Sequence, residues 1–75
     1  MSFKTHILKH EYNINETIFR FLSWTDSNIQ VGAYNAHNEF MGSTIINKAR
    51  LVYDIKHYAP VLYDEIKLLY PEELI

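Results

Sequence analysis

The sequence predicts an α+β fold: a small antiparallel β-meander of three to four strands over residues 3–42, packed against a C-terminal helical hairpin at residues 44–58 and 60–70. Three observations carry that expectation. The first half is dense in β-branched and aromatic side chains, which suit a pleated surface, and short clusters of Asn, Asp and Ser break it at turn-like intervals. The second half instead spaces its apolar residues at helical intervals. Ala59-Pro60 and Pro71 then punctuate it, because proline cannot extend a helix and disfavours helical backbone in the residue before it.

Each element follows from its own residues. Over residues 3–12, Phe3, Thr5 and Ile7 alternate with Lys4, His6 and Leu8, which reads as a strand, although Phe3, His6, Ile7 and His10 also share one helix face. Residues 16–24 carry Thr17, Ile18, Phe19, Phe21 and Trp24, a strand-like set. Thr25-Asp26-Ser27-Asn28 supplies turn chemistry, and Ile29, Val31 and Ala33 then alternate with Gln30, Gly32 and Tyr34. The alternative is an all-α bundle with a helix at residues 14–24, opened by an Asn13–Glu16 capping pair. Asn35-Ala36-His37-Asn38 forms a second turn, with a short strand from Glu39 to Gly42. A helix through residues 28–47 is excluded by Gly32, Gly42 and the asparagines.

The hairpin begins with Ser43 or Thr44 as cap. Ile45, Ile46, Ala49, Leu51, Val52, Tyr53, Ile55 and Tyr58 cover more than half of its first helix, leaving Asn47, Arg50, Asp54 and His57 as a polar stripe. Such a helix is expected to form the spine of the core, touched on two sides, with Arg50 and Asp54 paired one turn apart. Pro60 suits the first turn of the second helix, whose Leu62, Tyr63, Ile66, Leu69 and Tyr70 share a face opposite Asp64, Glu65 and Lys67. An acidic tail follows Pro71.

Composition narrows the function classes. A chain of 75 residues makes one domain, here residues 1–75 without a linker. A core that small is marginal, and with no cysteine there is neither a disulfide nor a thiolate zinc site to reinforce it. A partner protein or a homo-oligomer therefore gains weight as a source of stability. The net charge of −2 offers no basic footprint for nucleic acid, and no apolar run is long enough to cross a bilayer. The absence of cysteine suits a cytoplasmic setting. A bias to Ile, Asn and Lys matches AT-rich genomes, phages and mobile elements among them.

Catalysis has no visible apparatus: Ser23, Ser27 and Ser43 lack a glycine-flanked elbow, and Gly32 and Gly42 are isolated rather than part of a phosphate loop. His6 and His10, followed by Glu11, have a spacing that could clamp a metal, but no nearby third ligand announces itself and only His37 or His57 is left for the fold to recruit, so no metal and no cofactor is assigned. The stronger candidates are aromatic. On a regular strand Phe19 and Phe21 face one way and Arg20, Leu22 and Trp24 the other, a combination enriched where proteins grip one another. The competing structural reading has the N-terminal segment covering that second face. Partner-binding candidates are thus Arg20, Leu22, Trp24 and Tyr34 on the sheet, and Tyr63, Asp64, Glu65 and Tyr70 on the second helix, in preference to Ile45 or Val52. The expected function is a non-enzymatic regulator or inhibitor, phage- or mobile-element-encoded, that occupies a partner protein's surface. The alternatives are a single-stranded nucleic-acid module using the aromatic and Arg sheet face, or a structural subunit of a larger assembly.

Overall fold

The structure, a computed structural model, describes residues 2–74. A four-stranded antiparallel meander in the order β1-β2-β3-β4 is followed by two C-terminal helices, an α+β fold. The strands are β1 (Glu11–Ile14), β2 (Thr17–Thr25), β3 (Asn28–Tyr34) and β4 (Phe40–Asn47). Residues 14–24 are therefore strand and turn, not helix. Asn15 and Glu16, with φ of 49° and 69°, form the two-residue loop between β1 and β2, where positive φ at both positions matches the twist of the strands. Asp26 at φ 53° opens the next tight loop, closed by the Thr25–Asn28 pair. Asn35 organises the third: its Oδ1 accepts from the backbone N–H groups of His37 and Glu39 at 2.9 and 3.0 Å.

The N-terminal segment departs from the strand expectation. Phe3–Leu8 is a short helix, α1, capped by Ser2, whose Oγ accepts from the Thr5 N–H at 3.2 Å. The reason lies in its pattern: Phe3, His6 and Ile7 are buried, the helix-face set rather than the alternating one. Tertiary packing decided between two periodicities that so short a segment satisfies equally.

The helical hairpin also starts later than residue 44. Ile45 and Ile46 pair with Gln30 and Ile29 and extend β4, so α2 (Lys48–Tyr58) is capped by Asn47, not by Ser43 or Thr44. Without the two isoleucines the helix is less apolar than expected. It buries Leu51, Asp54 and Ile55, while Ala49 and Tyr53 are exposed, so it is amphipathic rather than a spine touched on two sides. The hinge at Ala59-Pro60 is as expected: Ala59 ends α2, and Pro60 is the first residue of α3 (Pro60–Leu69). Leu62 and Ile66 are buried on α3, but Leu69 is exposed. Pro71–Leu74 forms a 3₁₀ turn, α4, which Glu73 ties to Lys48 at 3.0 Å.

The core is one cluster. Tyr12, Phe21, Ile29 and Val31 from the inner sheet face meet Phe3 and Ile7 of α1, Leu51 and Ile55 of α2, and Leu62 and Ile66 of α3. Among the described residues no helix is long and apolar enough to cross a membrane.

Candidate functional site

The helices pack on the inner face, so among the described residues no element covers the outer face of the sheet. The N-terminal segment does not close it: α1 packs against β2 from the inner side, with the Phe3 ring 5.6 Å from that of Trp24. The outer face is defined by register. Arg20 lies opposite Gly32, Ile18 opposite Tyr34, Gln30 opposite Ile45, and Tyr34 opposite Phe40.

A bulge in β2 between Phe21 and Ser23 redistributes the predicted residues. One extra residue inverts the alternation beyond it. Leu22 stays on the outer face, whereas Trp24, now opposite the buried Ile29, turns inward and packs on Phe3. Trp24 is thus a core-edge residue whose indole N–H is occupied by the Asp26 carbonyl at 3.0 Å, and it does not join Arg20 and Leu22. Arg20, Leu22 and Tyr34 do come together. The Arg20 guanidinium sits 4.6 Å from the Tyr34 ring centre, and Tyr34 meets Phe40 edge-on at 5.6 Å. Gly32 permits this closure: a Cβ there would stand 3.0 Å from Leu22 Cδ1 and 3.2 Å from the Tyr34 ring.

Sequence reasoning missed three members of the patch. Phe40 and Ile45 on the outer face, and Met41 at the irregularity between Phe40 and Gly42, are 59%, 63% and 63% exposed, and among the described residues β4 is an edge strand with its outer side unpaired. The helical reading of residues 44–58 conceals Ile45, which the strand instead places on the open face as a surface candidate. The signal that could have found it is the β-branched pair Ile45-Ile46 directly after Ser43-Thr44, a strand-like run.

The second-helix candidates scatter. Tyr63 is half-buried beside the Lys56 ammonium at 5.9 Å, and Asp64 is exposed. Tyr70 turns into the molecule, its ring 5.7 Å from Phe3 and 5.6 Å from His6. Glu65 reaches the N-terminal helix, with Oε1 2.8 Å from His6 Nε2. His6, His10 and Glu65 present donor atoms all within 4.8 Å of one another, so the group that joins the two histidines is Glu65, not His37 or His57.

A third polar constellation lies under the sheet edge. Tyr12 donates its hydroxyl to Asp54 Oδ2 at 3.2 Å, and Arg50 Nε donates to Asp54 Oδ1 at 3.0 Å. The expected Arg50–Asp54 pair is present, but Asp54 is buried, not part of an exposed stripe. Burial first, and the Asp54 carboxylate second, raise the Tyr12 phenol well above its ordinary value. The hydrogen bond to Asp54 and its charge raise the already high value of Arg50. Neutral Tyr12, accepted by a buried carboxylate, fixes β1 to α2 and has the geometry of a structural link rather than of a proton carrier.

No family model, curated protein or solved structure matches the chain.

Proposed function

We propose that this protein is a non-enzymatic binding domain, a regulator or inhibitor that holds a partner protein against the outer face and the β4 edge of its sheet. The observation that carries the reading is the uncovered patch formed by Arg20 stacked on Tyr34, with Leu22, Phe40, Met41 and Ile45 around it. Aromatic groups and an Arg ringed by aliphatic side chains make the usual centre of a protein interface. The adjoining β4 edge offers unpaired backbone groups to an incoming strand, the commonest way of extending a sheet across an interface. Each aliphatic or aromatic side chain fully covered there contributes about 1.5–3 kcal/mol. A nucleic-acid module is less well supported, because Arg20 stands on this face without a basic stripe around it.

The test is comparative capture from the native cell with the wild-type chain and with folded face variants, Arg20→Ala and Ile45→Lys, as baits. A partner retained by the wild type is expected to bind each variant at least about tenfold more weakly in subsequent titration. Equal retention by wild type and variants, with unchanged circular dichroism, removes this face from the interface. Concentration-dependent sedimentation would move the reading to self-assembly, and a salt-sensitive shift with single-stranded oligonucleotides would move it to nucleic acid.

A further inference from the structure

We propose that His6, His10 and Glu65 form a binding site for a divalent metal ion of the zinc type, which ties α1 to α3. Donor type, hydrogen bonding and placement point to it independently of the sheet face.

The donor set is two imidazoles and one carboxylate, a combination that suits Zn²⁺ and leaves a fourth position for water. Both histidines come from one face of the N-terminal segment, where the backbone keeps turning past α1: the His10 N–H donates to the Ile7 carbonyl at 3.0 Å. Their rings lie 5.0 Å apart and nearly parallel, at 22°. Glu65 arrives from the second turn of α3, on the side of the helix next to the buried Ile66 and Leu62.

The surroundings of the two histidines fit this role. His10 Nδ1 lies 2.8 Å from the His6 carbonyl oxygen, an acceptor only, so Nδ1 donates to it and Nε2 is the ring nitrogen left to face an ion. A ring nitrogen fixed to a backbone carbonyl is the usual support behind a metal-bound histidine. His6 is 9% exposed, and its Nε2 is buried with no aligned hydrogen-bond partner. The Glu65 oxygen is close enough, at 2.8 Å, but lies off the direction in which the ring nitrogen bonds. The two groups are within ion-pair distance but not aligned as a hydrogen bond, and an ion between them would engage both.

Metal–ligand distances of about 2.0–2.1 Å place tetrahedral donors roughly 3.3 Å apart. The present spread of up to 4.8 Å must therefore tighten by about 1.5 Å on binding, and Glu65, whose side chain is 43% exposed, has room to move. An open groove of about 410 Å³, lined by His10, Glu11, Tyr12, Tyr58 and Glu65 among others, gives an ion a route in. The site also answers a need of the fold. α1 has six residues, too few to stand as an isolated helix, and the chain has no cysteine with which to staple it.

The experiment is titration of the chelator-stripped full chain with Zn²⁺, followed by calorimetry and thermal melting. Binding of one ion per chain is expected, with Tm raised by more than about 10 °C at a free metal concentration near a hundred times Kd. His10→Ala and Glu65→Gln, both at half-exposed positions, should fold without metal and bind Zn²⁺ at least about tenfold more weakly. His57→Ala, an exposed histidine on α2, should bind like the wild type. Co²⁺ in place of Zn²⁺ should give visible ligand-field bands that vanish in His10→Ala. Undiminished binding by His10→Ala and Glu65→Gln, loss of binding in His57→Ala, or a Tm that does not respond to Zn²⁺ would each overturn the proposal.

Discussion

Removing one oxygen atom, in Tyr12→Phe, tests whether the buried link between β1 and α2 holds the fold. Tyr12 is 5% exposed and Asp54 6%, so water is a poor substitute partner for either group. The Phe ring preserves the stack on Phe19, whose centre is 5.4 Å away, and no apolar area is lost. What is lost is the donor to Asp54 Oδ2. A hydrogen bond to a charged group is worth about 1.5–3 kcal/mol, and an acceptor stranded in the interior costs a similar amount. At 3.2 Å the bond is long for an O–H donor, and Arg50 still serves the other carboxylate oxygen, which argues against the top of that range. About 2 kcal/mol is therefore expected, or roughly 8–16 °C in Tm for a domain of this size. Urea denaturation followed by circular dichroism reads it as a fall in midpoint at constant slope. Combining Tyr12→Phe with Asp54→Ala should give a coupling energy of about 1–2 kcal/mol. A loss below about 0.5 kcal/mol, or strict additivity with Asp54→Ala, would refute the reasoning.

The same link predicts alkaline sensitivity. The native Tyr12 phenol is raised above its ordinary value of 10.0, so below that pH both states keep the proton and the contribution is complete. As pH climbs beyond it the unfolded chain ionises first, and stability falls by up to about 1.4 kcal/mol per pH unit. The gap between wild type and Tyr12→Phe should hold up to about pH 10 and narrow progressively above it in parallel urea titrations. Asn47→Ala removes the acceptor for the Arg50 N–H at 2.9 Å and should destabilise α2 by about 1 kcal/mol, measured by thermal melting. Trp24→Ala and Leu22→Ala, neighbours across the bulge, should part company. The first leaves a void beside Phe3 and lowers stability by about 2–3 kcal/mol, whereas the second, on the open face, changes it by less than about 1 kcal/mol.

The open patch and the histidine cluster differ in how far sequence could reveal them. Arg20, Leu22 and Tyr34 were legible because alternation alone assigns a face to residues on a regular strand. Trp24 was misplaced because the bulge that inverts its direction has no sequence mark: Leu22-Ser23 is neither glycine-rich nor proline-bearing. His6 and His10 were visible as a pair. Their third group was invisible, since Glu65 approaches only when α3 folds back beside α1.

By itself the sequence determined the features that rest on local chemistry. Turn residues at Asp26-Ser27 and Asn35 to Asn38 set the meander, and Ala59-Pro60 set the helical hinge, because a backbone limited by proline or by a side-chain hydrogen bond has few alternatives. Tertiary structure decided what depends on neighbours. It settled whether residues 3–8 coil or extend, and whether Ile45-Ile46 lengthen a strand or begin a helix. It also decided that Asp54 lies under Tyr12 rather than in water. Short segments satisfy two periodicities at once, and only the surface waiting beside them makes one cheaper than the other.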